Sequence, residues 1–235
     1  MDAAGARHVG ARLLGEVEEG SLEELLGSLR NSFVNTTSLH RSPHIPFPEL
    51  SAIIARYQRA TQSAPPPHFS VSGRYLPLLY HLISTLIAAP HKYAVAIIDT
   101  EGLFDVTRLI NPAPAHGSSY PATLSDLKHV YVYLPGRGQE QVKAAVTAVE
   151  EFMLYEPHGS RDREWWGTVV IGGTGGDVNA GWKGWLRVER EDVSGFAMGM
   201  SVEEALRERR SRQEAVDSAG WAASARWGRY LWKGG

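Results

Sequence analysis

The stretch YAVAIIDT, residues 93–100, decides the fold, because it is apolar almost throughout until it ends on Asp99 and Thr100. A strand with one face in water would alternate apolar and polar residues, and this stretch does not. Continuous apolar strands are typical of parallel sheets that are covered on both faces. The sequence therefore predicts that residues 93–100 form the central strand of an α/β domain.

The residues around this strand continue a regular alternation of strands and helices. Apolar residues run continuously or alternate in the predicted strands, and they follow helical spacing in the predicted helices. The predicted order is strand 69–72, helix 76–89, strand 93–100, strand 130–134, helix 139–155 and strand 168–171. This order favours βαβ units with right-handed crossovers and a mostly parallel sheet.

The N-terminal part of the chain differs from this core. Leucines at helical spacing predict one or two short helices within residues 13–29, and residues 50–59 favour another helix. Three consecutive prolines at residues 65–67 mark a break in regular structure. We therefore predict an N-terminal helical arm and linker over residues 1–62.

The C-terminal third also changes character. Residues 185–190 and 193–200 are predicted as strands, and residues 201–216 as a charged helix that begins with a capping box. The last residues are rich in aromatic and basic side chains. We predict a core over residues 63–216 and a C-terminal tail over residues 217–235.

Composition excludes several classes of protein. The formal net charge of −2 gives no bulk attraction to nucleic acids or anionic membranes. Cysteine is absent, so neither a disulfide scaffold nor a thiolate metal site is possible. Residues 1–20 are polar and acidic, and the longest apolar run, residues 76–89, contains Pro77 and His81. We therefore expect a soluble, intracellular protein with no membrane span and no metal site.

Two carboxylates stand at the end of the central strand, in the sequence AIIDTEG over residues 96–102. Open α/β sheets bind their ligands at the carboxyl ends of the strands, where Asp99 and Glu101 would lie. A structural alternative explains the same residues, because Asp99 can cap the following turn while Glu101 is solvated. The spacing alone favours this structural alternative.

Two motifs in this region resemble a known family. IDTEGLFDVTRL, residues 98–109, resembles the second core strand of the RecA-type recombinases, and LYHL, residues 79–82, is similar to their eukaryotic paralogs. The resemblance implies that the glutamate matched by Glu101 would position the water that attacks ATP. It also implies a fold: a shortened α/β, RecA-like P-loop NTPase core with a mostly parallel sheet flanked by helices, an N-terminal helical arm and a C-terminal strand and helix extension.

The phosphate loop of that family is degenerate in this chain. Such a loop uses glycine amides to surround the β-phosphate, a lysine for its charge and a serine or threonine for Mg²⁺. Gly73, Arg74, Tyr75 and Leu76 stand at its end, so that a tyrosine replaces the lysine and a leucine replaces the hydroxyl. Gly172 occupies the position of the second, metal-side carboxylate.

These departures imply a non-catalytic relative in which Asp99 and Glu101 are vestigial and no cofactor is bound. Arg74 could touch a phosphate, but one side chain does not replace a ring of amides and a bound metal. An alternative stays open, in which Arg74, Asp99 and Glu101 form the atypical phosphate site of a DNA-dependent ATPase that still binds ATP and Mg²⁺.

A second glycine-rich segment, GGTGG, covers residues 172–176. It could form an anion-binding loop with Lys183, but no Gly-Lys-Thr follows it, so a flexible connection is favoured. In the resembled family a helix, a strand and two DNA-contacting loops lie here, and this chain has only residues 172–184. Either a deletion or a missing exon explains the difference, and the DNA-contacting loops cannot be carried over.

The tail combines aromatic and cationic side chains, as a surface that stacks on single-stranded nucleic acid would. These side chains can equally dock in the groove of a partner protein, because tryptophan and arginine are common interface anchors, and we favour docking. The residues concerned are Trp221, Arg226, Trp227, Arg229 and Trp232.

The resemblance also implies a function and partners. We expect a non-catalytic subunit that forms a hetero-oligomer with other recombinase-family paralogs and assists homologous-recombination repair of DNA double-strand breaks in the nucleus. Single-stranded DNA is a second candidate partner, and no membrane contact is expected.

Overall fold

The computed structural model describes residues 44–62, 69–110, 121–191 and 219–233, together with positions 201–203, 206, 209, 213 and 214. The helices predicted within residues 13–29, the proline break at 65–67 and the strand at 193–200 lie outside these residues. The chain divides into two compact units, Met1–Arg41 and Ser42–Gly235, and all described residues belong to the second.

A mixed sheet of eight strands forms the centre of the described part of the chain. The strands are β1 (Phe69–Gly73), β2 (Ala94–Asp99), β3 (Val130–Tyr133), β4 (Trp165–Ile171), β5 (Val178–Ala180), β6 (Leu186–Arg190), β7 (Trp221–Ala225) and β8 (Gly228–Trp232). Their spatial order is β3-β2-β4-β5-β1-β6-β7-β8. The first six strands in this spatial order run parallel to one another, and β7 is antiparallel to both of its neighbours, β6 and β8. The predicted α/β class with a mostly parallel sheet is confirmed.

Helices cover both faces of this sheet. They are α1 (Pro48–Thr61), α2 (Leu76–Ile87), the short α3 (Leu124–Leu127) and α4 (Gln139–Tyr155), with a 3₁₀ helix at Val106–Ile110. One face packs against α1 and α2, and the other packs against α4 through Val142, Val149 and Met153. The prediction for α4 agrees with the structure at both ends.

Strand β2 is buried along its whole length, as its apolar sequence predicts. Val95 and Ile97 pack into the cluster that contains α2, whereas Ala94, Ala96 and Ile98 pack beneath α4. The two alanines leave room for α4 to lie close to the sheet. Each fully buried isoleucine contributes about 1.5–3 kcal/mol relative to an exposed one.

Strands β7 and β8 form a hairpin that extends the sheet, so the structure includes them in the same compact unit as the core. Tyr230 and Trp232 alternate with Arg229 and Leu231, and only the two aromatic side chains are buried. Helix α1 joins the core in the same way through buried Leu50, Ile53 and Ile54. Both segments therefore contribute buried side chains to the same core as the parallel strands.

His81 links α2 to β8 inside this core. Its Nε2 lies 2.9 Å from the hydroxyl oxygen of Tyr230, and its ring stacks on Phe47 with 4.2 Å between centroids. The ring of Trp232 also stacks on the His81 ring, with 5.8 Å between the centroids. Burial among these rings lowers the pKa of His81 to about 4, because the charged imidazolium would be poorly solvated.

We predict that this histidine makes the fold sensitive to acid. The imidazole of His81 takes up a proton near pH 6.5 in the unfolded chain but only near pH 4 in the folded chain. The neutral imidazole therefore makes its full contribution to the unfolding free energy above pH 6.5, and this contribution is lost as the pH falls towards 4. The shift corresponds to roughly 3 kcal/mol at most. Urea denaturation at pH 7 and pH 4.5 should show a smaller loss of unfolding free energy for His81→Gln than for the wild type.

Tyr230→Phe serves as the control for this prediction. It removes the hydroxyl but keeps the buried imidazole, so it should retain the acid sensitivity of the wild type. Equal pH dependence of His81→Gln and the wild type would contradict the assignment.

Candidate functional site

The carboxyl ends of the parallel strands carry the residues that the sequence singles out. Thr100, Glu101 and Leu103 follow β2, Arg137 follows β3, and Gly172 follows β4. Together they line a cavity of about 290 Å³. The structure therefore brings Glu101 and Gly172 together, whereas Arg137 was not predicted. An exposed arginine in the connection between a strand and a helix gives no distinctive signal in a single sequence.

Asp99 is 1% exposed, and its carboxylate is occupied by the backbone that follows β2. Oδ1 accepts hydrogen bonds from the amides of Glu101 and Gly102, both at 2.9 Å, and Oδ2 accepts one from Phe104 at 2.7 Å. Charge-assisted bonds of this kind are stronger than those between neutral groups. These contacts support the structural alternative for Asp99, in which it shapes the loop that presents Glu101.

Gly73 and Arg74 do not form a phosphate loop. Gly73 has φ of +77°, and a Cβ there would lie 2.5 Å from the carbonyl oxygen of Val188. The amide of Arg74 donates to that same oxygen at 2.8 Å. The glycine is therefore needed where β1 ends close to β6, and the Arg74 amide is already used within the fold.

Helix α2 begins at Leu76, so only Arg74 and Tyr75 connect it to β1. Helix N-termini bind anions through the free amides of their first turn. Pro77 lies in this first turn and has no N–H. The helix therefore presents a reduced set of donors where a phosphate would need them.

Tyr75 uses its hydroxyl on the glutamate. The hydroxyl donates to Oε2 of Glu101 at 2.8 Å. Burial raises the pKa of Tyr75 first of all, and the hydrogen bond to Glu101 and the charges of Glu101 and Asp99 raise it further. The hydroxyl thus stays protonated and acts as a neutral donor. Tyr75 therefore occupies one oxygen of the Glu101 carboxylate.

Gly172 leaves no room for a second carboxylate. Its φ is +75°, and a Cβ would lie 2.6 Å from Cγ of Glu101 and would also press on the hydroxyl of Thr100. Its amide donates to the carbonyl oxygen of Ala180 at 2.8 Å. An aspartate at this position would therefore have to move the side chains of Thr100 and Glu101.

The two motifs that carry the family resemblance contact each other. The amide of Asp105 donates to the hydroxyl of Tyr80 at 3.0 Å, and the rings of Tyr80 and Phe104 lie 5.1 Å apart. The guanidinium of Arg108 lies 5.9 Å from the centre of the Tyr80 ring. The loop after β2 is therefore held against α2 by residues of both motifs.

The segment after β4 contains a strand that the sequence analysis missed. Strand β5 pairs in parallel with both β4 and β1. Three residues are too few to show a clear period, so the sequence offered little signal. Lys183, the cation considered for the glycine-rich segment, lies over the ring of Trp182 at 4.2 Å, and Trp182 is 84% exposed.

The tail residues are largely engaged within the domain. Trp232 is 5% exposed, which corrects the prediction that it is available to a partner, and Trp221 stacks on it at 6.5 Å. Trp227 makes edge contacts with Tyr57 at 4.9 Å and Trp185 at 5.6 Å. The side chains of Arg226 and Arg229 are exposed, and the guanidinium of Arg226 lies 5.3 Å from the centre of the Trp227 ring.

Within the described residues, no three His, Asp or Glu side chains come together in a way that could hold a metal ion. None of the helices described there combines the length and apolar character needed to cross a bilayer. Comparisons with protein-family models, with curated proteins and with solved structures found no match to this chain.

We predict that the two carboxylates respond differently to removal of their charge. Asp99→Asn would set an NH₂ group against backbone N–H donors and should lower the unfolding free energy by about 2–3 kcal/mol. Glu101→Gln, at an exposed position, should change it by less than about 1 kcal/mol. Urea denaturation of both variants checks this, and equal losses would contradict the structural role of Asp99.

We also predict that position 172 does not accept an aspartate without loss of stability. Gly172→Asp should lower the unfolding free energy by roughly 2–3 kcal/mol, because an L residue is strained at this φ and its Cβ meets Glu101. Thr174→Asp, in the same loop at an exposed position, should change it by about 0.5 kcal/mol or less. Thermal unfolding of both variants provides the measurement, and an unchanged Gly172→Asp would show that the site accepts an acid.

Proposed function

We propose that this chain is a non-catalytic recombinase paralog with a RecA-type core, resembling X-ray repair cross-complementing protein 2. In this proposal it acts in the nucleus as a scaffolding subunit of a complex that assists homologous-recombination repair of DNA double-strand breaks. The observation that carries the non-catalytic part is the hydrogen bond between Tyr75 and Glu101, at 2.8 Å, in a site without a phosphate loop.

The strand order supports the RecA-type reading. Strand β1, which the phosphate loop would follow, lies inside the sheet between β5 and β6. Strand β2, which carries Glu101, lies beside β4, which ends at Gly172. The parallel strands are extended by the antiparallel β7 and then β8, which agrees with the C-terminal strand extension that the resemblance implies.

Several features argue against binding of a triphosphate in the usual mode. A tyrosine and a leucine replace the ammonium and the hydroxyl, and Pro77 removes an amide from the first turn of α2. Glu101 accepts a hydrogen bond from Tyr75 in place of a water held beside a phosphate. Positioning supplies much of the rate in phosphoryl transfer, so an acid without a held substrate contributes little.

The alternative, an ATPase with an atypical phosphate site, would depend on Arg74 as the cation. Arg74 is exposed, but its amide already bonds to Val188, and Asp99 is fully engaged by the backbone. The remaining alternative is a tail that stacks on single-stranded DNA. It is weakened by the burial of Trp232 and by the packing of Trp227 against Tyr57.

We predict that the isolated chain does not bind ATP. Isothermal titration with ATP and Mg²⁺ should show no saturable binding up to about 1 mM nucleotide. The double variant Tyr75→Lys, Leu76→Thr should also fail to bind, because it restores neither the glycine amides nor the amide that Pro77 lacks. Micromolar binding by the wild type that is lost on Arg74→Ala would favour the ATPase alternative.

The scaffolding role is tested by co-expressing this chain with recombinase-family paralog subunits and purifying any complex that forms. We expect a stable complex in which a photoreactive ATP analogue labels the other subunits but not this chain. Failure to form a complex with any such subunit would contradict the scaffold, and specific labelling of this chain would contradict its non-catalytic assignment.

A further inference from the structure

The cavity at the edge of the sheet contains two opposite charges that do not pair with each other. Glu101 and Arg137 both line it, and the carboxylate of Glu101 accepts a hydrogen bond only from the neutral hydroxyl of Tyr75 within the described residues. The guanidinium of Arg137 has no polar partner among the residues that the structure describes. A ligand with charges of both signs would satisfy the two side chains at once.

One exposed leucine accompanies these charges. Leu103 lines the cavity and is 49% exposed. Exposed apolar side chains beside an arginine are characteristic of surfaces that bind proteins. A small polar ion would leave Leu103 in water, so this side chain favours a ligand with apolar groups.

The same cavity is poorly suited to a phosphate. The carboxylate of Glu101 on its wall would repel an anion. A phosphate could pair with Arg137 but would leave the carboxylate of Glu101 facing a like charge, whereas a ligand with charges of both signs would pair with each side chain.

We propose that this cavity is the docking site for a segment of a partner protein that carries three kinds of side chain. A basic side chain would lie against Glu101, an acidic side chain against Arg137, and an apolar side chain would cover Leu103. The proposal rests on the scaffolding function only for the identity of the partner, since the two charges and Leu103 define the segment by themselves. Exposed charge pairs of this kind give selectivity more than affinity.

A selection from phage-displayed random 12-residue peptides against the immobilised chain provides the test. We expect the enriched peptides to contain a Lys or Arg and an Asp or Glu around an apolar residue. Fluorescence anisotropy with one enriched peptide should show that Glu101→Gln and Arg137→Gln each weaken binding about fivefold. Glu151→Gln and Lys128→Gln, at exposed positions outside the cavity, should leave binding unchanged.

A charge-swapped variant sharpens the test. Glu101→Arg with Arg137→Glu should enrich peptides in which the order of the two charges is reversed. A selection without enrichment, or binding that does not depend on Glu101 and Arg137, would overturn the proposal. Self-association in sedimentation that these substitutions abolish would assign the cavity to a second copy of the chain, and nucleotide binding lost on the same substitutions would assign it to a nucleotide.

The outcomes separate this proposal from the function on which it draws. If the chain assembles with recombinase-family subunits but shows no dependence on Glu101 and Arg137, the docking site is wrong and the scaffold stands. If the peptides bind as expected but no such subunit does, the docking site stands and the family of the partner is different.

Discussion

Burial of β2 on both faces is the constraint on which the functional edge depends. A strand with no polar side chain before its last residue can only lie inside a sheet, between β3 and β4, with helices on either side. Its first polar side chain, Asp99, is still buried and must therefore find donors, which it does in three backbone amides. Those bonds fold the following loop, which places Glu101 at the cavity and sends Phe104 back to Tyr80 on α2.

The residues around Glu101 form a mutually adjusted set. Tyr75 donates to the carboxylate, and Gly172 leaves the space that the side chain of Glu101 occupies. A lysine at position 75 could not reproduce the neutral donor, and an acid at position 172 would collide with the side chains of Thr100 and Glu101. The site is thus packed for its present residues, as the proposed non-catalytic role requires.

Much of the core could be predicted because its periods are strong. Helix α4 shows apolar residues at helical spacing over 17 residues, and its predicted bounds agree with the structure. Strand β2 and helix α2 were located within one or two residues at each end. Strand β5 was missed because three residues show no period, and β7 and β8 because their aromatic and basic side chains suggested a surface.

The sequence by itself determined the α/β class and the central strand, because these depend on residue types and on local spacing. Only the tertiary structure decided that Tyr75 reaches Glu101, that Arg137 shares a cavity with Glu101, and that Trp232 packs against His81. These pairs are separated by 26, 36 and 151 positions along the chain. Their contact follows from the order in which the strands pair, and no local pattern of residues records that order.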